Sequence, residues 1–178
     1  MFLNLAVSAG GSMVLVNTII LVRLSLELSE IAFSITMLIF GAGCIFAAII
    51  IPYLSKEMTA SRIMLAGSNL LSIIFVALAF WLILFDFIWF VLLLAWFISG
   101  FGYTLLLTPM GRVIRMVSSV DEFSQVYSAQ FSLSHLCWLF MYPLSGYLMT
   151  TSGGPFTLLT LALLMVCSNI IAAWHFRR

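Results

Sequence analysis

Residues 63–109 read "IMLAGSNLLSIIFVALAFWLILFDFIWFVLLLAWFISGFGYTLLLTP", and Asp86 is their only charged side chain. As one helix this stretch would extend roughly 70 Å at about 1.5 Å per residue, more than twice the ~30 Å hydrocarbon core of a bilayer. Broken at Asp86, it gives two segments of spanning length and makes the number of crossings in the whole chain even. The alternative keeps Asp86 inside the membrane, where an ionisable group is costly and usually functional. The fold turns on which reading holds, and a tight turn at Asp86 is the expected one.

The rest of the chain has the same character. It is 64% hydrophobic and 7% charged, against about 45–50% apolar and about 25% charged in ordinary soluble domains. A soluble fold of 178 residues would lack the polar surface to cover itself. The expected fold is therefore an all-α integral membrane domain, a single unit over 1–178, and the lipid bilayer is its first partner. A net charge of +1 with no basic patch excludes nucleic acid. Cys44, Cys137 and Cys167 sit apart in apolar runs and form no disulfide framework. The opening "MFLNLAVSAGG" lacks the basic start of a secretory signal, so it is expected to begin a retained helix.

Six spans are expected, at about 4–22, 31–54, 63–84, 87–109, 127–149 and 155–175. Charge interrupts them at "VRLSLELSE", "SKEMTASR" and "MGRVIRMVSSVDEFSQV", and glycine and proline do so at "TSGGP". With six spans, Lys56, Arg62, Arg112, Arg115, Arg177 and Arg178 share one face and only Arg23 falls on the other. Because lysine and arginine favour the cytoplasmic side, both termini are expected there. Ser119 and Glu122 have the spacing of a capping box opening the fifth span.

That fifth span carries the polar groups. At roughly 100° per residue, Gln130, Ser134, Cys137, Met141 and Ser145 share one face, and Phe131, His135 and Tyr142 form a neighbouring stripe. His135 and Cys137 point about 160° apart and cannot chelate one ion together on a straight helix. His135 can instead be a proton carrier, one contact among several for a transported ion, or a hydrogen-bonded packing residue. Tyr142, Pro143 and Gly146 mark a kink, since proline removes a backbone donor. Asn17 and Asn69 are amides expected to bond across helices, Asn17 being the better candidate for a pathway. Gly43 with Ala47, and Ser99, Gly100 and Gly102, allow close helix contacts. Trp81, Trp89 and Trp174 fall near span ends, where interfacial aromatics belong.

Two segments resemble the major facilitator superfamily of secondary transporters. "IPYLSKEMTASRIML" (51–65) follows the second span, where that superfamily has a Gly-x-Leu-Ala-Asp-Arg-x-Gly-Arg-Arg loop. Leu54 keeps the pattern and Arg62 falls one place beyond its last arginine, whereas Pro52, Lys56, Glu57 and Thr59 depart from it. "TPMGRVIRMVSSVDEFSQVYSAQFSLSHLCWLFMYPLSGYL" (108–148) is similar to spans ten and eleven of bacterial efflux members, most of all the branch associated with nickel and cobalt resistance. Gln130, Phe131, Leu133, Ser134, His135, Cys137, Trp138, Leu139, Tyr142, Pro143 and Leu144 carry that likeness. The resemblance implies a C-terminal six-span half of a proton-coupled exporter in the bacterial inner membrane, moving a small molecule or a divalent metal ion. Gln130, Ser134, His135, Cys137, Tyr142 and Asn17 are then the pathway candidates, and Lys56, Arg62, Arg112 and Arg115 the cytoplasmic loop contacts. No cofactor and no resident metal are expected.

Transporter sites lie between two six-span repeats. The chain is thus expected to be a truncated or half-length unit that needs an N-terminal half or a second copy. The rival reading is a non-transporting or self-pairing membrane subunit. An intramembrane enzyme is not expected: in "WFISGFG" Phe97 stands where a rhomboid-type Gly-x-Ser-Gly nucleophile motif needs its first glycine, and the spans contain no paired carboxylates.

Overall fold

The computed structural model describes residues 3–119 and 121–176. These form helices and connecting turns, with no strand among the described residues. Helix α1 (Leu3–Ile19) widens into a π-helix over Ile20–Ser25. It is followed by α2 (Glu30–Glu57), α3 (Ala60–Leu84), α4 (Trp89–Leu107), the short α5 (Met110–Val117) and α6 (Phe123–Phe176). Five stretches are long and apolar enough to cross a membrane: Leu3–Ser25, Glu30–Glu57, Ala60–Leu84, Trp89–Met116 and Phe123–His175. Arg177 and Arg178, which carry part of the charge argument, lie outside the described residues.

The turn at Asp86 is present. The α3 helix ends at Leu84 and α4 opens at Trp89, with the intervening residues extended or bent. The Trp81 indole N–H donates to the Asp86 carbonyl oxygen at 3.2 Å and closes the corner. The start of α2 is equally local in origin: the Ser29 hydroxyl accepts from the Ala32 amide at 3.3 Å, and Glu30 stands in the first turn, where a negative charge suits the helix dipole.

The expected fifth and sixth spans are continuous in α6, a 54-residue element, with Gly153 (φ 78°, ψ 175°) leaving helical geometry so that two helical limbs meet across a kink. Positive φ is cheap only without a β-carbon, and "TSGGP" supplies glycine there. The helix runs on through Pro143 and Gly146 without another non-helical residue. At its start the Ser119 hydroxyl donates to the Glu122 carboxylate at 2.8 Å. The two side chains of the expected capping box therefore bond each other.

Helix α4 packs between α2 and α3. A β-carbon on Gly43 of α2 would collide with the Phe97 carbonyl oxygen of α4, and one on Gly100 of α4 with the Phe40 carbonyl oxygen of α2. On the other side, a β-carbon on Gly67 of α3 would come 2.6 Å from the Gly102 carbonyl oxygen. Between lipid-immersed helices there is little hydrophobic drive, so such backbone contact supplies the packing energy. Trp96 is fully buried, and its indole N–H donates to the Thr18 hydroxyl of α1 at 2.8 Å. Trp89, expected as an interfacial anchor, donates to the Thr36 hydroxyl of α2 at 2.9 Å. Phe75, Leu92, Leu106, Leu158, Leu161 and Met165 fill the core around them.

Gly43→Ala should therefore lower stability by about 1–3 kcal/mol, the usual cost of overpacking. Gly41→Ala, whose β-carbon would meet nothing within 4 Å, should cost nothing. Unfolding midpoints of the two variants in mixed detergent micelles check this, and equal midpoints would contradict the crossing geometry.

Candidate functional site

The polar face of the first limb of α6 lies largely against α1. The Gln130 side-chain amide donates to the Asn4 carbonyl oxygen at 2.6 Å, and the Asn17 amide donates to the Ser145 hydroxyl at 2.7 Å. The register is parallel, since Asn4 and Asn17 meet Gln130 and Ser145 in the same order along the chain. Between these bonds, the Trp138 ring covers Gly11 so closely that a β-carbon there would strike it. Met141 and Ser145 are buried, and Gly146 sits beside Val16. Asn17 and Ser145 are thus committed to the helix pair. Asn69 likewise bonds across helices, its carbonyl oxygen accepting from the Asn169 amide at 2.9 Å, although Asn69 itself is exposed rather than buried.

Nearer the start of α6 the seam opens into a cleft of about 460 Å³, walled by α1, the α4–α5 corner and α6. It gathers Gln130, Ser134 and His135 from the expected set. Cys137, Tyr142 and Asn17 do not line it. Cys137 is a half-buried free thiol, and the Tyr142 ring packs on Trp138 with centroids 4.9 Å apart. Tyr103, Tyr127, Phe131 and Trp138 add aromatic walls. Periodicity did not single out Tyr103, because the signal was one hydroxyl inside the apolar run of α4.

Hydrogen bonding defines what the cleft offers. His135 Nδ1 lies 2.9 Å from the Phe131 carbonyl oxygen. A carbonyl can only accept, so Nδ1 carries the proton and a neutral ring keeps its lone pair on Nε2. The Phe131 and His135 rings stack with centroids 4.0 Å apart, which fixes the imidazole plane. The Gln130 amide nitrogen also contacts the Met110 sulfur at 3.1 Å, so its nitrogen is used twice and its oxygen remains. Among the described residues, no group bonds the Ser134 hydroxyl. No three His, Cys, Asp or Glu side chains among the described residues are grouped to hold a metal ion.

The basic residues lie elsewhere. Lys56, Glu57 and Arg112 line a shallow groove of about 300 Å³ between the α2–α3 corner and α5. The Lys56 ammonium stands 5.7 Å from the Tyr53 ring centroid and the Arg115 guanidinium 5.6 Å from that of Phe123. Arg62 is exposed and outside this groove.

Compared with known proteins, residues 1–178 match the family model of the Major Facilitator Superfamily. Neither a curated protein nor a solved structure matches the chain.

The α1–α6 bonds are measurable. A double-mutant cycle of Asn17→Leu and Ser145→Ala should return a coupling of about 0.5–2 kcal/mol, the range for polar pairs between membrane helices. Zero coupling in detergent or bicelle unfolding would remove that bond from the account of the register.

Proposed function

Because the chain belongs to the major facilitator superfamily, a family of transporters, and is a multi-pass membrane protein, we propose that it is one six-span half of a secondary active exporter. The observation that carries this reading is the cleft, where the buried Gln130, the half-buried Ser134 and the exposed His135 share one wall among apolar residues. Polar groups in lipid are costly, and ionisable ones within the spans are usually functional. His135 is the proposed proton carrier: its Nε2 lone pair is the basic atom in the cleft. The second wall of the pathway comes from another six-span half, in a longer polypeptide, a separate chain or a second copy.

Contacts on α1 support six crossings rather than five. Trp138, before Gly153, lies on Gly11, and Met165, after it, lies beside Gly10. On one straight helix these residues would be roughly 40 Å apart at about 1.5 Å per residue, so their meeting at adjacent α1 positions favours a reversal at Gly153. With six crossings, Lys56, Arg62, Arg112 and Arg115 share a face, which the positive-inside rule makes cytoplasmic. Both termini then lie in the cytoplasm, and the chain sits in the bacterial inner membrane. The cleft opens toward the end where α4 finishes and α6 begins, the cytoplasmic end in this orientation, as loading for export requires. The rival, a non-transporting subunit, would be favoured by stable co-purification with another membrane protein and no efflux.

Topology can be read by labelling. With Cys44, Cys137 and Cys167 replaced by serine, Asp86→Cys and Ser152→Cys should react with an impermeant maleimide in intact cells. Glu57→Cys and Ser119→Cys should react only after permeabilisation. A protected Ser152→Cys would point to five crossings.

The role of His135 is tested by transport. In cells where the protein supports efflux, His135→Phe should abolish it and leave membrane abundance unchanged. Retained efflux would take His135 out of the pathway.

A further inference from the structure

We propose that the groove between the α2–α3 corner and α5 holds the headgroup of an anionic phospholipid, phosphatidylglycerol, from the surrounding leaflet. Lys56, at the end of α2, and Arg112, on α5, bring two cations to one groove of about 300 Å³. Among the described residues neither side chain has a hydrogen bond or an ion pair, although Glu57 lines the same groove. Ser55 and Thr59 add hydroxyls. Unpaired cations beside hydroxyls are the donors that a phosphodiester takes. Lys56 and Arg112 set against Glu57 leave one net positive charge, which suits a headgroup carrying a single negative one. Basic pockets between membrane helices on the cytoplasmic side are where such headgroups bind, and the basic residues of this face define that side in the orientation proposed above.

The surroundings favour a lipid over a free phosphate or a second protein. On α2, Ile45, Ile49 and Tyr53 follow one another at spacings of four and are 66%, 60% and 66% exposed. That spacing keeps them on one face of the helix, and the face ends at Lys56, whose ammonium stands over the Tyr53 ring. Met116, 74% exposed, borders the groove from α5. An apolar track ending beneath a cation fits an acyl chain below its phosphate, whereas a free anion would leave the track unused. Helix α5 also separates the groove from the cleft. At roughly 100° per residue, Arg112 and Met116 stand about opposite Met110, Gly111 and Ile114, which line the cleft. The groove therefore faces away from the cleft and from the second half proposed to complete it.

The test uses the full chain in a neutral, mild detergent, titrated with dioleoylphosphatidylglycerol or dioleoylphosphatidylcholine. Native mass spectrometry reads the lipid-bound fraction. The two lipids share acyl chains and a phosphodiester and differ in net charge. The parent chain is expected to bind phosphatidylglycerol about fivefold tighter, the effect of roughly one net surface charge. Lys56→Gln and Arg112→Gln should each weaken phosphatidylglycerol binding about fivefold and leave phosphatidylcholine binding little changed. Arg62→Gln and Arg115→Gln, basic positions outside the groove, should leave both lipids as they are. All four side chains are exposed, so the variants should fold as the parent does, and the lipid preference of the parent is a test that needs no variant. Equal binding of the two lipids by the parent overturns the proposal. So does a loss in Arg62→Gln or Arg115→Gln as large as that in Lys56→Gln, which would make the attraction a property of the whole basic face. Inorganic phosphate bound in a Lys56-dependent way, without preference between the lipids, makes the groove a site for the free anion and overturns the lipid. A protein chain retained in place of lipid, and released by Lys56→Gln and Arg112→Gln, assigns the groove to a partner and overturns it equally.

Discussion

The parallel pairing of α1 with the first limb of α6 is the constraint on which the rest of the structure depends. Its hydrogen bonds join residues 126 and 128 positions apart in sequence, Asn4 with Gln130 and Asn17 with Ser145. Parallel neighbours cannot be joined by a hairpin, so everything from α2 to α5 lies between them in the chain. That pairing closes the bundle from its first helix to its last. In hydrocarbon, van der Waals fit and polar pairs decide which helix faces meet. Trp138 seated over Gly11 supplies the fit, and the amides supply the pairs. Gln130 belongs to the seam and the cleft at once, so the register that makes the bond also sets the height at which Ser134 and His135 open into the cavity.

The α2–α4–α3 side of the bundle is held differently. Helix α4 touches α2 and α3 backbone to backbone through glycines on two sides, and its two buried or half-buried indoles each find a threonine hydroxyl. Thr18 and Thr36 pass the bond on, donating to Val14 and Ala32 carbonyls within their own helices. A tryptophan N–H in lipid needs such an acceptor, and a threonine on the facing helix provides it without bringing in charge. With α4 fixed on both flanks, its C-terminal end at Leu107 and the start of α5 at Met110 line the cleft together with the start of α6.

Much of this was legible in the sequence, and the part that was not has a clear physical cause. Composition gave the membrane class, Asp86 gave the turn, and Gly43 and Gly100 gave the close crossing. Periodicity placed Ser134 and Ser145 on the same side of one helix, yet they meet different fates: Ser134 borders the cleft, whereas Ser145 is buried against Asn17. Helical phase tells which way a side chain points. It does not tell what stands opposite at that depth, and that is decided by where a helix distant in sequence ends. Asn17 bonds across helices as its amide suggested, and its partner Ser145 could not be read from depth in its own span. Cys137 and Tyr142 carry the family likeness but face away from the cavity their neighbours line. Tyr103 was missed because a single hydroxyl in an apolar run has no pattern to reveal it.

The clasps themselves fix register more than they add stability. Asn4 leaves its amide nitrogen buried without a partner, and Asn17 and Asn169 each leave a carbonyl oxygen in the same state. An orphaned buried polar atom costs about 1–3 kcal/mol, as much as or more than the bond formed at the other end of the amide returns. An apolar pair of equal shape would hold α1 to α6 about as firmly. It would not choose among sliding registers, because leucine against leucine is similar one turn up or down, whereas an amide moved by a turn loses its only partner. The polar atoms consumed in the seam are therefore explained by register. The Ser134 hydroxyl, the free edge of His135 and the side chain of Gln130 border the cleft instead, whereas the hydroxyls of Ser68 and Ser99 are buried in the bundle without a partner.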